Sequence, residues 1–372
     1  MKKVQVITRH TPINYGSLLQ SIATQKIFEA CDCQCQIIDY FRKDEEYGKI
    51  EKTLLKNKRN WNTNPIKRAA YLALRVPASV YAGKKFRGMQ NKYLNLTKRY
   101  SSNQQLKDEL EDADYYVTGS DQVWGKIACG EYDSSYFLDF VQDDKKKLAF
   151  ASSMGHATKT PEEEKFFIDS IRKYEHVAVR EDSVVEYFNE LGIAAKQVLD
   201  PTLMVEAEEW RQMEGKKSDK KYVLIYQIHN DKKLGKYAKE YAEKKGLPLI
   251  RVSQNFHQLF REGKFEYLPD VGEFLSYIDN ADCLITDSFH GTAFAINLNT
   301  DFVEILPNTN TSSRNQSILR LLGLSDRIVT DMNDFSLLNK RIDYVAVNKK
   351  LNVEREKSFK VLKDFLGIKI NE

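Results

Sequence analysis

Val4-Gln5-Val6-Ile7-Thr8, then Asn14-Tyr15-Gly16-Ser17-Leu18-Leu19, then Ile37-Ile38-Asp39-Tyr40 read in order as a strand, a turn opening a helix, and a second strand. Between them Leu18, Leu19, Ile22, Ala23, Ile27 and Phe28 recur at helical spacing. Strand, crossover helix and strand is the repeating unit of a parallel sheet. The pattern returns at Asp114-Tyr115-Tyr116-Val117-Thr118-Gly119-Ser120, Leu148-Ala149-Phe150-Ala151, His176-Val177-Ala178-Val179-Arg180-Glu181 and Gln197-Val198-Leu199-Asp200-Pro201. It starts afresh at Lys221-Tyr222-Val223-Leu224-Ile225-Tyr226, with a helix around Leu234 to Lys245 and a strand at Leu249-Ile250-Arg251-Val252. The polar stretch from Gln212 to Lys220 separates the two sets, which places a domain boundary between about 203 and 220. The expected class is α/β, with two Rossmann-like domains facing a cleft. Residues 1–205 form the first, with a helical insertion at about 50–100, residues 206–345 the second, and 346–372 a C-terminal helix. In such folds ligands bind beyond the carboxyl ends of the strands.

The chain has 372 residues, of which 42% are hydrophobic and 30% charged, which excludes a disordered chain and a small disulfide module. No apolar run approaches the roughly 20 residues that span a bilayer, and the N-terminus lacks the apolar stretch of a secretory signal. The expectation is a cytoplasmic protein. Its five cysteines, three of them at Cys31, Cys33 and Cys35, read as reduced thiols. With period two they share one strand face with Ile37, as buried small hydrophobes.

The charge is unevenly spread. Lys52 to Arg99 holds thirteen Lys and Arg and no Asp or Glu; the whole chain carries +4, so the rest of it carries −9. Trp61, Tyr71, Tyr81, Phe86 and Tyr93 are interleaved with those cations. Such a segment suits anionic lipid headgroups or a lipid-linked diphosphate, or is a solvated insertion whose Lys and Arg stems cover apolar surface.

The sharpest chemical signal is Thr286-Asp287-Ser288-Phe289-His290-Gly291-Thr292. An apolar strand runs into a helix whose first backbone N–H groups form an anion site. Gly291 admits close approach of a bound group, and His290 is either a general acid/base or a buried helix cap. Arg180 ends another apolar strand and offers a planar fork to phosphate or carboxylate, or pairs with a neighbouring acid. Arg314 precedes an amphipathic helix and is a second anion clamp or a surface cap. Asn14, Tyr15 and Gly16, and likewise Ser120, Asp121 and Gln122, follow strands where a sugar or phosphate would lie. Tyr15 and Trp124 are either sugar-stacking rings or core. Among the remaining histidines, His156 is the one outside candidate. There is no G-x-G-x-x-G fingerprint and no Walker motif.

Taken together, Asn14-Tyr15-Gly16 with Leu19-Gln20, Ile37-Ile38-Asp39-Tyr40, Gly119-Ser120-Asp121-Gln122-Val123-Trp124, Tyr136-Phe137-Leu138-Asp139-Phe140, Val179-Arg180-Glu181-Asp182-Ser183, Leu199-Asp200-Pro201-Thr202-Leu203 and Thr286-Asp287-Ser288-Phe289-His290-Gly291-Thr292 resemble the polysaccharide pyruvyl transferase family, in family order. The resemblance implies a GT-B-like fold and transfer of pyruvate from phosphoenolpyruvate to two sugar hydroxyls as a cyclic ketal. It implies His290 as catalytic acid/base, with Arg180, Ser288, Gly291, Thr292 and Arg314 toward the donor and Asn14, Tyr15, Gly16, Ser120, Asp121 and Gln122 toward the acceptor. Some members carry Arg where this chain has Ser288, and Arg314 is the candidate to supply that cation. No metal and no cofactor is expected, phosphoenolpyruvate being a co-substrate. The expected partners are phosphoenolpyruvate, a lipid-linked sugar acceptor and the inner membrane surface through the basic insertion, with no nucleic acid. The alternatives are a GT-B nucleotide-sugar glycosyltransferase and a non-catalytic binding protein resting on the basic segment.

Overall fold

The computed structural model of the protein describes residues 1–142, 145–155, 160–215, 220–307 and 312–369. The chain divides into two compact units, one of Met1–Ile13, Gln20–Val198 and Val361–Glu372, the other of Asn14–Leu19 and Leu199–Lys360.

In the first unit the strands are β1 (Lys2–Ile7), β2 (Cys33–Tyr40), β3 (Leu96–Tyr100), β4 (Tyr115–Thr118), β5 (Lys146–Ser152), β6 (His176–Val179) and β7 (Lys196–Gln197). They form one seven-stranded parallel sheet in the order β3-β2-β1-β4-β5-β6-β7. The helices are α1 (Tyr15–Glu29), α2 (Ile50–Lys56), α3 (Pro65–Tyr93), α4 (Asn103–Glu109), α5 (Pro161–Ile171) and α6 (Asp182–Glu190). Near-continuous apolar strands such as β4, buried at every position, are what a sheet covered on both faces requires. Cys33 and Cys35 alternate inward with Ile37 on β2, and both thiols are free.

The second unit begins with the short helices α7 (Pro201–Met204) and α8 (Ala207–Arg211). Its strands β8 (Val223–Tyr226), β9 (Leu249–Ser253), β10 (Lys264–Tyr267), β11 (Cys283–Thr286) and β12 (Phe302–Glu304) form a parallel sheet in the order β10-β9-β8-β11-β12. The remaining helices are α9 (Lys232–Lys245), α10 (Val271–Asp279), α11 (Phe289–Leu298), α12 (Ser313–Leu322) and α13 (Tyr344–Phe365). In each sheet strand order reverses once, between β1 and β4 and between β8 and β11, and ligands collect outside such switch points.

The division falls at Val198/Leu199, earlier than the polar stretch suggests; residues 216–219 of that stretch lie outside the described residues. Hydrogen bonds decide it. The Thr202 carbonyl accepts from Asn297 Nδ2 at 2.7 Å and from the Trp210 indole at 3.1 Å, and the Leu203 carbonyl accepts from Arg355 at 2.7 Å, all within the second unit. The first turn of α1 also groups with the second unit, and the end of α13 with the first, where Phe365 stacks on His176 with ring centres 4.6 Å apart.

Trp124 is core. Its ring is fully buried, with Phe167, Tyr174 and Phe188 edge-on at 5.9–6.0 Å, so it is not available to stack on a sugar. Trp124→Ala should cost about 3–5 kcal/mol, read as a lower urea midpoint; an unchanged midpoint would mean that this aromatic cluster does not hold the first unit.

Candidate functional site

β11 ends at Thr286, whose hydroxyl donates to the Tyr226 carbonyl at 2.7 Å and accepts the Ser288 N–H at 3.0 Å. That fixes the turn into α11 beside β8. The Asp287 carboxylate accepts the Ile228 and His229 backbone N–H groups at 2.8 and 3.1 Å, tying the loop after β8 to the same point. Ser288 is the helix cap: its hydroxyl accepts the Gly291 N–H at 3.3 Å. A Cβ on Gly291 would lie 2.6 Å from Thr286 Oγ1, so glycine lets the helix pack closely against the strand.

His290 stands in the first turn of α11, 7% exposed. Its ring lies against the first turn of α1: a Cβ built on Gly16 would sit 2.1 Å from His290 Nδ1. Asn14 caps that turn, its side-chain oxygen accepting the Gly16 N–H at 2.8 Å. On the other side Asp200 Oδ2 stands 3.8 Å from His290 Nε2, while Oδ1 is occupied by the Thr202 N–H at 2.9 Å and hydroxyl at 2.6 Å. Tyr15 is fully buried, stacked on Phe274 at 4.3 Å with its hydroxyl on the Pro269 carbonyl. It anchors the turn and has no face left for a sugar. Burial pushes the Tyr15 and Tyr226 phenols well above their ordinary value, so both stay protonated near neutral pH.

Arg314 opens α12 with its guanidinium 5.7 Å from the centre of the Phe289 ring, and Phe289 meets the His290 ring edge-on at 5.1 Å. The structure therefore brings Arg314 within one residue of His290. Beneath them lies Glu304, at the end of β12 and fully buried. It bonds the Thr292 hydroxyl with one carboxyl oxygen and accepts Asn315 Nδ2 at 2.7 Å with the other, so one side chain joins α11 to α12. Burial pushes its carboxyl up to about 8, against the hydrogen bonds from Thr292 and Asn315. A protonated Glu304 donates to Thr292 Oγ1, whose own proton then reaches the Ser288 carbonyl at 3.2 Å. Thr292 is thus a buried strut between Glu304 and the Ser288 carbonyl.

In the first unit Ser120, Asp121 and Gln122 follow β4. Asp121 holds a left-handed backbone (φ 74°) and pairs with Ser152 as an isolated bridge. The Ser120 carbonyl accepts the Thr8 hydroxyl at 2.8 Å. Arg180 is buried directly after β6, its carbonyl accepting Gln197 Nε2 at 3.0 Å, and the neighbouring Glu181 accepts the Ser153 hydroxyl. The site residues thus divide, with Asn14, Tyr15, Gly16, Ser288, His290, Gly291, Thr292 and Arg314 in one unit and Ser120, Asp121, Gln122 and Arg180 in the other. His156 lies outside the described residues.

Sequence reading missed a charged cluster at the carboxyl ends of β1 and β2. Asp39 receives Arg87 at 3.0 and 2.7 Å, Arg99 at 3.2 Å and His10 Nε2 at 3.1 Å. Hydrogen bonds from His10 and Arg87 hold its carboxyl well below the usual range in spite of burial, which acts as the largest single cause and in the opposite sense. Arg42 bonds Asp133 at 3.2 Å nearby. Asp200 and Glu304 were also missed as partners, although Asp200 stands in a segment that carries the family resemblance.

A carboxyl raised from its ordinary 4.5 to about 8 contributes stability that is present below the lower value and lost as pH rises through the higher. Glu304→Gln keeps a donor for Thr292 and an acceptor for Asn315 without the charge. Its melting temperature should therefore gain on the native protein between pH 5 and about 8 and hold that gain above. A pH-independent difference would show that Glu304 does not titrate in this range.

A family profile described as polysaccharide pyruvyl transferase matches residues 14–309. A comparison with curated proteins finds no match. Among solved structures, UDP-GlcNAc 2-epimerase from Neisseria meningitidis bound to UDP-GlcNAc is similar with a TM-score of 0.54 at 13% identity, over 98% of this chain and 99% of that one. The S. aureus MnaA–UDP co-structure is similar with a TM-score of 0.54 at 12% identity, over 100% of this chain and 99% of that one. At such identities the likeness shows the fold alone, two Rossmann-like domains of the GT-B kind. With the family match spanning most of its length, the chain belongs to the polysaccharide pyruvyl transferase family.

Proposed function

We propose that the protein transfers pyruvate from phosphoenolpyruvate to two hydroxyls of a sugar in a bacterial-type surface polysaccharide or its lipid-linked precursor, forming a cyclic ketal and releasing phosphate. The observation that carries this reading is the His290 imidazole seated between Gly16 and the Asp200 carboxylate, with the Arg314 guanidinium stacked one residue away. Phosphoenolpyruvate is an enol phosphate, so a proton delivered from His290 to its methylene carbon makes C2 electrophilic. The first sugar hydroxyl adds to C2 and returns its proton to His290. The C2–O bond to phosphate then breaks, the second hydroxyl adds, and its proton leaves with the phosphate. Each step moves one proton and holds one anion, the tasks of a positioned imidazole and a guanidinium.

Arg314 and Arg180 are the guanidinium groups assigned to the donor's phosphate and carboxylate. The charged cluster around Asp39, together with Ser120, Asp121 and Gln122, is assigned to the acceptor. The basic segment suits an acceptor on a lipid diphosphate at the membrane surface. Among the described residues no helix is long and apolar enough to cross a membrane.

Purified protein should release phosphate from phosphoenolpyruvate only when supplied with the lipid-linked glycan fraction, and His290→Ala should lower turnover on the order of 10² or more with the fold intact. Near-normal turnover in the folded variant removes His290 from the mechanism. Absence of release together with tight binding of a nucleoside diphosphate would favour the nucleotide-sugar glycosyltransferase. Arg180→Ala and Arg314→Ala should chiefly raise the KM for phosphoenolpyruvate, and an unchanged donor dependence in either would move that residue out of the donor site.

A further inference from the structure

Helix α3 has two apolar faces. The inner one, with Tyr71, Phe86 and Met89 buried, is fixed to the first unit. There Arg87 grips Asp39, Gln90 donates to the His10 carbonyl at 2.8 Å, and Gly83 admits Tyr47, whose ring would lie 2.1 Å from a Cβ. Opposite it runs an exposed stripe of Ile66, Ala70, Ala73, Leu74, Pro77 and Tyr81, in which Ile66, Leu74 and Tyr81 are 82%, 69% and 60% exposed. At about 100° per residue these six fall within an arc of roughly 100°, and Ile66 to Tyr81 spans about 22 Å. Lys67 and Lys85 border the stripe and Lys84 closes its end, all exposed.

We propose that this outer face of α3 docks on a bilayer surface rich in anionic lipid, lying parallel to it with Ile66, Leu74 and Tyr81 in the boundary below the headgroups and the bordering lysines among the phosphates. Charge complementarity selects this occupant. From Lys52 to Arg99 there is no acid, so a symmetric contact with a second copy through this face would set two wholly basic surfaces against each other. A face that binds nucleic acid would carry cations along the middle of the stripe, where this helix presents Leu74, Pro77 and Tyr81. The inner face holds the docked helix onto the loops after β1 and β2, the region assigned above to the acceptor. This deepens the reading of a lipid-linked acceptor and rests on it.

The test is flotation with vesicles of about one-third phosphatidylglycerol in phosphatidylcholine, for the full chain and for Ile66→Glu/Leu74→Glu, in parallel with phosphate release from phosphoenolpyruvate using a detergent-solubilised acceptor. The native protein should float with these vesicles, less so at high salt and not with phosphatidylcholine alone. The double variant should lose on the order of tenfold or more in partitioning, with an unchanged melting temperature and unchanged turnover on solubilised acceptor. Lys84→Glu/Lys85→Glu should lose binding likewise. Absence of native binding, or equal binding by the variants, overturns the docking face, as does a native dimer that the variants abolish. Turnover without vesicle binding leaves pyruvyl transfer standing and removes the docking face. Binding without turnover does the reverse.

Discussion

The missing β-carbon at Gly16 is the constraint around which the candidate site is built. With any other residue there, the His290 imidazole could not occupy its position against the first turn of α1, because the added carbon would fall 2.1 Å from Nδ1. The turn that carries Gly16 is itself held by the Asn14 cap and by Tyr15, stacked on Phe274. A segment from near the start of the chain is thereby made part of the second unit, and it closes one side of the ring while Asp200 stands on the other. The imidazole is thus flanked by close packing on one side and by a buried carboxylate on the other.

Glu304 answers a different demand. α11 and α12 approach the site from separate strands, and what sets His290 relative to Arg314 is a single buried carboxyl shared between Thr292 and Asn315. A charged group at such a place would carry the desolvation cost of burial with no cation in the described contacts to offset it. The neutral form satisfies both neighbours and passes a hydrogen bond on to the Ser288 carbonyl, at the cap of the His290 helix. The strut therefore works best protonated, consistent with a carboxyl held up at about 8.

The α/β class, the alternation of short apolar strands with helices and the position of His290 were legible in the sequence because each depends on local pattern: short apolar runs, small residues at the turns, and one histidine at the opening of a helix; strand order was not, because it is set by pairing between segments distant in sequence. The packing partners of Gly291, Thr292 and Tyr15 were not legible either, since only the fold brings them together. Gly291 packs on Thr286 and Tyr226, Thr292 on Glu304, and Tyr15 on Phe274. The place of α7 depends on such contacts too. A polar stretch marks a loop, whereas the hydrogen bonds of Thr202 and Leu203 to Asn297, Trp210 and Arg355 decide which unit α7 joins. Asp39 read as the end of a strand, and only the fold collects Arg87, Arg99 and His10 around it.

α3 shows the limit of periodicity from another direction. A helix with one apolar stripe announces its buried face, but apolar residues here lie on opposite sides, and their contributions to any one-sided signal cancel. The sequence shows only a basic segment with interleaved aromatics. The structure sorts those aromatics, taking Tyr71 and Phe86 inward and leaving Tyr81 with Ile66 and Leu74 outward. Neither solubility nor the core of the first unit calls for the outer set, and keeping large apolar side chains in water is costly unless something covers them. On the docking proposed above, a segment whose every charge is positive finds its match in a surface that is apolar within and anionic at its boundary.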